Sequence, residues 1–259
     1  MNFKRLLIVP DRESIDLSIK LANDYDCGFE YNDFFSPDIL DNKEKCDNII
    51  KLYKKQTDLP EYCTLHGAFL DVTVFSQDSK ILEVSDCRVE QSIAIAREIG
   101  AGAIVFHTNY IANFKQKNYR EDWLKTNVKY WSEKCHKYQD ISIYIENMFD
   151  DDYELILKLA ENMADVDNFG ICFDYAHACV FGHVDKINEW CEKLGPYIRH
   201  VHINDNDFES DSHQQIGTGK IDWDSFKDNH KKYFQGASVL VEMNGIDKIK
   251  ASLEYLKAL

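Results

Sequence analysis

The sequence has few residues that break regular structure, and it has no long apolar run. Only 4 prolines and 11 glycines occur among 259 residues, and no low-complexity segment suggests a linker. No stretch approaches the roughly 18 apolar residues that a membrane-spanning helix needs, so we expect no membrane partner. Met1 to Arg5 lead directly into an apolar run that is too short for a secretory leader, so we expect none. These absences predict a single domain over residues 1–259 and a cytoplasmic location.

Paired cysteines and positive charge are also scarce. The 8 cysteines are scattered without a CxxC pair, so we predict reduced, mostly buried thiols instead of a disulfide framework. The 30 Lys and Arg residues are outnumbered by 45 Asp and Glu residues, which gives a formal net charge of −15. A nucleic-acid surface needs a face of Lys and Arg, so this balance argues against nucleic acid as a partner.

Short apolar runs that are typical of buried strands alternate eight times with amphipathic stretches that are typical of helices. The predicted strands are 5–9, 27–33, 62–66, 103–107, 141–146, 169–174, 198–203 and 238–242. The predicted helices are 14–23, 38–56, 90–99, 120–138, 153–163, 186–194, 222–233 and 247–259. Such alternation requires parallel strands, and eight units in about 250 residues predict an α/β fold, a closed (β/α)8 TIM barrel. No glycine-rich phosphate loop follows the first strand, which argues against a dinucleotide-binding fold.

Side chains that bind metals stand at the ends of six predicted strands. In a barrel, the C-terminal strand ends face one shared mouth. The strand-end residues are His66, His107, Glu146, Asp174, His202 and Glu242, and His177, Asp211 and His213 follow shortly after them. Carboxylate oxygen and imidazole nitrogen are ligands of zinc and manganese. We therefore predict a divalent metal cofactor, zinc or manganese, with one ion or as many as three.

Two glutamates and three histidines call for separate predictions. Glu146 and Glu242 each end an apolar run, so a nearby cation best explains why their carboxylates would stay charged. His200 shares a face with His202 but lies one layer deeper, and we predict a hydrogen-bonded core histidine there. His136 and His230 fall on predicted helices and are expected on the surface.

Aromatic and basic residues beyond the strand ends are candidates for substrate binding. Phe69, Tyr110 and Trp223 follow strand ends, where they would either stack on a sugar ring or pack the loops. Lys115 and Lys220 lie in loops and would either clamp a substrate phosphate or remain solvated. Both alternatives stay open for each residue.

The strand-end motifs together resemble the xylose isomerase-like barrel superfamily, from the third strand to the last. The motifs are Leu-His66-Gly-Ala-Phe69, Val-Phe-His107, Ile-Glu146-Asn147, Phe-Asp174-Tyr-Ala-His177, His202-Ile-Asn-Asp205, Asp211-Ser-His213 with Gly217-Thr-Gly219, and Val-Glu242. This superfamily contains sugar-phosphate isomerases and epimerases, and apurinic-site endonucleases of the endonuclease IV type. The resemblance implies a shared metal site of Glu146, Asp174, His202 and Glu242.

The resemblance implies two enzymatic functions, and the first hypothesis is a cytoplasmic isomerase or epimerase of a small sugar or sugar phosphate. In it, Glu146 removes a proton beside a metal-polarised carbonyl, Glu242 returns one on the opposite face, and His177 orients the substrate oxygen. The alternative is a zinc phosphodiesterase that resembles apurinic-site endonucleases. There the remaining ligands would complete a three-zinc cluster, namely His66, His107, His177, Asp211 and His213. A second alternative is a barrel that binds a metabolite without turnover, and a homo-oligomer is also expected.

Overall fold

Eight parallel strands, taken in chain order, close into a barrel in which the last strand pairs with the first. This computed structural model describes residue 1 and residues 3–69, 72–114, 116 and 118–259. The strands are β1 (Arg5–Ile8), β2 (Cys27–Tyr31), β3 (Cys63–His66), β4 (Ala103–His107), β5 (Ser142–Glu146), β6 (Phe169–Asp174), β7 (Ile198–Ile203) and β8 (Ser238–Val241). The predicted (β/α)8 barrel is therefore confirmed.

Helices surround the barrel, and each predicted helix is present with altered bounds. They are α1 (Ile15–Tyr25), α2 (Pro37–Leu40), α3 (Lys43–Lys54), α4 (Ser79–Ile99), α5 (Tyr119–Lys137), α6 (Glu154–Asn162), α7 (Tyr175–Val180), α8 (Ile187–Leu194), α9 (Trp223–Asn229) and α10 (Ile246–Ala258). Short 3-10 segments lie at Arg12–Ser14, Val184–Lys186 and Gly195–Tyr197, and a π-helical segment at His230–Phe234 follows α9.

Capping side chains account for the two largest differences from the predicted helices. The single helix predicted over 38–56 is divided, because the Asn42 side chain accepts a hydrogen bond from the Lys45 amide and starts a new helix. Helix α4 starts eleven residues before the predicted position, where Asp78 caps the Lys80 amide. It ends at Gly100, as predicted, in the left-handed conformation with φ 80°.

The core lies between the strands and the helices and is rich in aromatic side chains. Trp131 of α5 stacks on Phe106 of β4 with ring centroids 5.2 Å apart. Trp123 of the same helix is buried, and its indole N–H donates to the Thr108 carbonyl just beyond β4. Truncating a buried tryptophan to alanine costs about 3–5 kcal/mol, so these two residues fix α5 against the barrel.

His230 is a correction to the predicted surface histidines. It is 3% exposed, and its ring packs against Phe3 and Phe234 with centroids 5.0 and 5.6 Å away. The π-helical segment turns this ring inward, which helical periodicity alone does not reveal. His136, in contrast, is exposed as predicted. All 8 cysteines are free, and all except Cys87 are buried.

The carboxyl ends of all eight strands open at the same mouth, because every pair in the barrel is parallel. Side chains at these ends therefore converge. Within the described part of the chain, no helix combines the length and the apolar character that crossing a bilayer requires.

Candidate metal centre

The six predicted strand-end residues meet at the mouth, and all are buried. His66, His107, Glu146 and Asp174 are the last residues of β3 to β6, His202 is the second-last residue of β7, and Glu242 directly follows β8. Their exposed fractions run from 0% for Asp174 and His202 to 9% for Glu242. The structure thus brings together side chains that lie as many as 176 positions apart in the sequence, from His66 to Glu242.

The first group of ligand atoms belongs to β3, β4 and β5. The Nε2 atoms of His66 and His107 each lie 3.5 Å from the same carboxylate oxygen, Oε2 of Glu146. The three residues are buried, and their ligand atoms lie within 4.8 Å of one another. Two imidazoles and one carboxylate facing a common point form a ligand set that suits zinc.

The second group contains Glu146 again, together with Asp174, His202 and Glu242, and it also spans no more than 4.8 Å. Nδ1 of His202 lies 3.4 Å from Oε2 of Glu146 and 3.2 Å from Oε2 of Glu242. This group matches the core site that the motif resemblance implied. Glu146 is shared by the first two groups, so any ions held there would be neighbours.

The third group stands beyond β6 and β7, with His177 on helix α7 and Asp211 and His213 in the loop after β7. The carboxylate of Asp211 bridges two imidazoles, with Oδ2 3.2 Å from Nε2 of His177 and Oδ1 3.2 Å from Nε2 of His213. Nδ1 of His177 also lies 3.4 Å from Oε1 of Glu146. The third group therefore adjoins the first two, and the three groups together contain all nine predicted ligands. A further set of possible ligands, Cys172, His200 and His202, shares His202 with the second group.

Backbone carbonyls orient three of the histidines. Nδ1 of His66 lies 3.1 Å from the Gly67 carbonyl oxygen. Nδ1 of His177 lies 3.0 Å from the carbonyl of Asn147, and Nδ1 of His213 lies 2.8 Å from the carbonyl of Glu242. A proton on each Nδ1 satisfies these contacts and leaves Nε2 with a free electron pair that faces the ligand groups.

Two local structures position the third group. Asp174 caps α7, where its Oδ1 accepts from the His177 amide at 2.5 Å, so that the imidazole projects into the mouth one turn later. Asp205 holds the loop that carries Asp211 and His213. Its buried carboxylate accepts hydrogen bonds from the Asn206, Gly217 and Ile221 amides and from the Trp223 indole.

The electrostatics reflect many charges in a buried space. Burial raises the pKa of Asp174 to about 7, helped by the neighbouring carboxylates of Glu146 and Glu242. Burial acts the same way on Glu242, but the imidazoles of His202 and His213 outweigh it and lower the pKa of Glu242 to about 2. For His213, burial lowers the pKa, whereas Asp211 and Glu242 raise it to about 10. Carboxylates and imidazoles therefore compete for a small number of protons here.

Unsatisfied polar atoms test whether a cation fits. In native structures, most buried polar atoms have hydrogen-bond partners. Among the described residues, the buried side-chain atoms without such a partner include both carboxylate oxygens of Glu146, Oδ2 of Asp174, Oδ1 of Asp211, Oε2 of Glu242 and both ring nitrogens of His202. All of these residues belong to the three ligand groups. Electron-rich atoms in such positions suit divalent cations, so the residues present fit a metal cofactor.

A cavity of about 150 Å3 lies over the ligand groups. Its described walls combine ligands with apolar and amide side chains: Asn32, Phe35, His66, Phe69, His107, Glu146, Met148, His177, Asp211, His213 and Glu242. The Phe69 ring packs at a tilt against those of His107 and Phe35, with centroids 5.0 and 5.1 Å away. No Lys or Arg occurs among these described wall residues.

The other predicted substrate contacts do not reach this cavity. Tyr110 is buried and stacks on Tyr119 at 5.6 Å. Trp223 is buried, and its indole N–H donates to Asp205 instead. Lys220 is exposed on the loop before α9, and it is absent from the described cavity walls. Lys115 lies outside the described residues. Of the predicted substrate contacts within the described chain, only Phe69 lines the cavity.

Glu30 of β2 is a site residue that sequence reasoning missed. It is 0% exposed and lies 3.1 Å from His202 and 3.0 Å from His200. Glu30 lies inside the predicted strand 27–33 and not at its end, so the strand-end rule that identified Glu146 did not select it. His200 is a buried, hydrogen-bonded core histidine, as predicted.

The family model described as xylose isomerase-like TIM barrel matches residues 21–259, which confirms the predicted resemblance. An uncharacterised protein of Methanocaldococcus jannaschii is 28% identical over 202 residues, which cover 74% of this chain and 68% of the relative. A probable endonuclease 4 of Mycobacterium leprae is 28% identical over 184 residues, which cover 65% of this chain and 67% of that protein.

Solved structures with the same fold come from both branches of the superfamily. A Thermus thermophilus protein soaked with ZnCl2 has a TM-score of 0.74 at 19% identity, with 100% of this chain and 97% of that one covered. A D-tagatose 3-epimerase-like protein has a TM-score of 0.74 at 23% identity, with 98% of each chain covered. Endonuclease IV from Thermus thermophilus has a TM-score of 0.64 at 14% identity, covering 98% of this chain and 97% of that one.

Proposed function

Since the chain belongs to the xylose isomerase-like TIM barrel family, we propose that it is a divalent-metal-dependent enzyme that hydrolyses phosphate diesters. The observation that carries this proposal is the meeting of three ligand groups around one space, two of them sharing Glu146. The sequence alone favoured a sugar isomerase or epimerase as the first hypothesis, whereas the structure leads us to place the phosphodiesterase first. The reason is that an isomerase needs only the group of Glu146, Asp174, His202 and Glu242.

The number of ligands favours a multinuclear centre. With one ion in the second group, five buried or half-buried ligands would have no function: His66, His107, His177, Asp211 and His213. Burying imidazoles and carboxylates costs free energy unless they are paired or bind a cation. Three ions would give each of these residues a cation to bind.

The balance between carboxylate and metal charges also favours a multinuclear centre. The three groups contain four carboxylates, those of Glu146, Asp174, Asp211 and Glu242. One divalent ion would leave two negative charges uncompensated, and these would repel an anionic substrate. Three divalent ions would leave an excess of two positive charges. A phosphate diester would then be attracted to a cavity whose described walls contain no Lys or Arg.

When bound, zinc ions in these groups would withdraw charge from the phosphate and lower the pKa of a water molecule. The chain's own residues hold and shape the site. Carbonyl contacts at Nδ1 of His66, His177 and His213 keep each Nε2 directed at the ligand groups. Phe69 and Met148 line the cavity with apolar surface, which would exclude bulk water from a bound phosphate.

A nucleic-acid substrate is compatible with this proposal in spite of the net charge of −15. The sequence argument against nucleic acid depended on the scarcity of Lys and Arg, and cations at the mouth would supply the missing positive charge. The similarity to a probable endonuclease 4 supports a phosphodiester in an abasic-site strand as the first substrate to test.

The experiment combines metal counting with an Asp211→Asn variant. We expect about three zinc ions per wild-type chain by mass spectrometry, and hydrolysis of bis(p-nitrophenyl) phosphate or nicking of an abasic-site duplex. Asp211→Asn removes the bridging carboxylate and is expected to lower the zinc count by one and the rate about 100-fold or more, because a catalytic metal contributes several kcal/mol.

Lys220→Ala is the matched control, since Lys220 lies on the same loop but outside the described cavity walls. It should keep both the zinc count and the rate. A single ion per wild-type chain, together with an Asp211→Asn enzyme as active as wild type, would contradict the proposal.

A sugar isomerase or epimerase is the second candidate, and the second ligand group favours it. Glu146 and Glu242 both lie close to the same ring nitrogen, Nδ1 of His202, at 3.4 and 3.2 Å. Two carboxylates on either side of a substrate can remove and return a proton at a carbon next to a carbonyl, while His177 orients the substrate oxygen. Epimerization of ketoses with uptake of solvent deuterium, equal in wild type and Asp211→Asn, would establish this candidate instead.

A further inference from the structure

A buried carboxylate that is not in the three ligand groups lies beneath them. Glu30 is the second-last residue of β2, and all five residues of this strand are buried. The side chain points into the barrel interior, since it contacts Thr64 on the adjacent strand β3 and two histidines of β7 on the opposite side. A charged group in this position requires partners that repay its desolvation.

Two of these partners fix one carboxylate oxygen of Glu30. Oε2 accepts a hydrogen bond from the Thr64 hydroxyl at 2.6 Å and lies 3.0 Å from Nε2 of His200. Nδ1 of His200 in turn lies 2.7 Å from the Ser238 hydroxyl of β8. Residues from three other strands, β3, β7 and β8, therefore hold the carboxylate in one orientation.

The second oxygen faces a metal ligand. Oε1 of Glu30 lies 3.1 Å from Nε2 of His202, close enough for an ion pair, although its angle departs from that of a good hydrogen bond. The other nitrogen of the same ring, Nδ1, points at Glu146 and Glu242. His202 thus presents its two nitrogens to two different carboxylate environments.

His202 directs a different ring nitrogen at the ligand groups than the three histidines that contact backbone carbonyls. His66, His177 and His213 each place Nδ1 against a backbone carbonyl and direct Nε2 at the ligand groups. His202 does the reverse, and a side-chain carboxylate takes the place of the carbonyl. A carboxylate holds the outer N–H of a metal-binding histidine more firmly than a neutral carbonyl and makes the ring a stronger ligand.

We propose that Glu30 is a positioning residue that keeps the proton of His202 on Nε2 and so directs the Nδ1 electron pair at the second ligand group. The inference rests on the proposed function only in requiring that Glu146, Asp174, His202 and Glu242 hold a metal ion. It applies equally to a hydrolase and to an isomerase, because both would use this group.

The test measures zinc binding, and activity is not needed. Wild type, Glu30→Gln and Thr64→Val are stripped of metal and titrated with zinc against a chromophoric chelator, and bound ions are counted by mass spectrometry. Glu30→Gln keeps the shape of the side chain but loses its charge, and we expect about 10–100-fold weaker binding of one ion. Thr64→Val keeps the Glu30 charge but removes one hydrogen bond that orients it, and it should weaken binding of the same ion less than Glu30→Gln does. The matched control is Glu61→Gln, titrated in the same way, because it removes one negative charge from an exposed side chain. It should bind zinc within about twofold of wild type.

A second measurement uses only wild-type protein, so it does not require the Glu30→Gln variant to fold. In zinc-loaded wild type with 15N-labelled histidine, two-dimensional NMR of the imidazole nitrogens should show His202 protonated at Nε2. A His202 ring protonated at Nδ1 would overturn the inference, and so would equal zinc affinity in wild type and Glu30→Gln. Wild-type protein that binds no zinc at all would instead contradict the proposed metal centre, so the two failures are distinguishable.

Discussion

Replacing Asp205 by asparagine is expected to loosen the loop that presents Asp211 and His213. Asp205 is 0% exposed, and its carboxylate is surrounded by N–H donors. Oδ1 accepts from the amides of Asn206 and Ile221 at 3.0 and 3.1 Å, and Oδ2 accepts from the Gly217 amide and the Trp223 indole at 2.8 and 3.0 Å.

The size of the effect follows from these four donors. Asparagine keeps one acceptor oxygen, and its NH2 group would face two of the N–H groups that now donate to the carboxylate. Each hydrogen bond to a charged group contributes about 1.5–3 kcal/mol, so the loss of two predicts destabilisation by about 3 kcal/mol or more. For a chain of this size, 3 kcal/mol corresponds to a fall in Tm of about 6–12 °C. The loosened loop should also lose the ion bound by Asp211 and His213.

Urea denaturation of the metal-free protein and zinc counting of the loaded protein measure the two effects. Asp207→Asn is the matched control, because Asp207 lies in the same loop but accepts from the Glu209 and Ser210 amides in solvent-exposed hydrogen bonds. It should change the free energy of unfolding by no more than about 1 kcal/mol. An Asp205→Asn protein within about 1 kcal/mol of wild type, with its full zinc count, would refute the idea that Asp205 anchors the loop.

Two further predictions concern residues outside the ligand groups. Burial lowers the pKa of His230 to about 4, so between pH 4 and 6.5 the unfolded chain binds more protons, and stability falls as the pH drops; at pH 5 the loss is about 2 kcal/mol. In urea denaturation, the stability of His230→Phe should lack this part of the pH dependence. The control, exposed His136→Gln, should keep the wild-type pH dependence. Identical pH profiles for wild type and His230→Phe would contradict the prediction. Trp223→Phe removes one donor to Asp205 and should lower stability by about 1–2 kcal/mol while leaving KM unchanged. A raised KM at unaltered stability would support substrate stacking by Trp223 instead.

Much of the fold, and the side chains that meet at the mouth, could be predicted from the sequence because both follow from local rules. Apolar runs that alternate with amphipathic stretches require parallel strands and crossovers, and parallel strands place their carboxyl ends at one mouth. A histidine or acid that ends such a run, as His107 and Glu146 do, is therefore directed to that mouth wherever it lies in the chain. The assignment of these residues to a working metal centre stays a proposal.

Other features were decided only by the tertiary structure. Every residue of β2 is buried, so no alternation of polar and apolar side chains indicates that Glu30 faces the interior and meets His202 across the barrel. Trp223 and Tyr110 follow strand ends as Phe69 does, yet loop packing turns them away from the cavity. The sequence by itself determined which ligands reach the mouth. The tertiary structure decided how these ligands divide into three adjoining groups and which ring nitrogen each histidine presents. Both depend on distances across a closed barrel, and such distances cannot be read from the sequence.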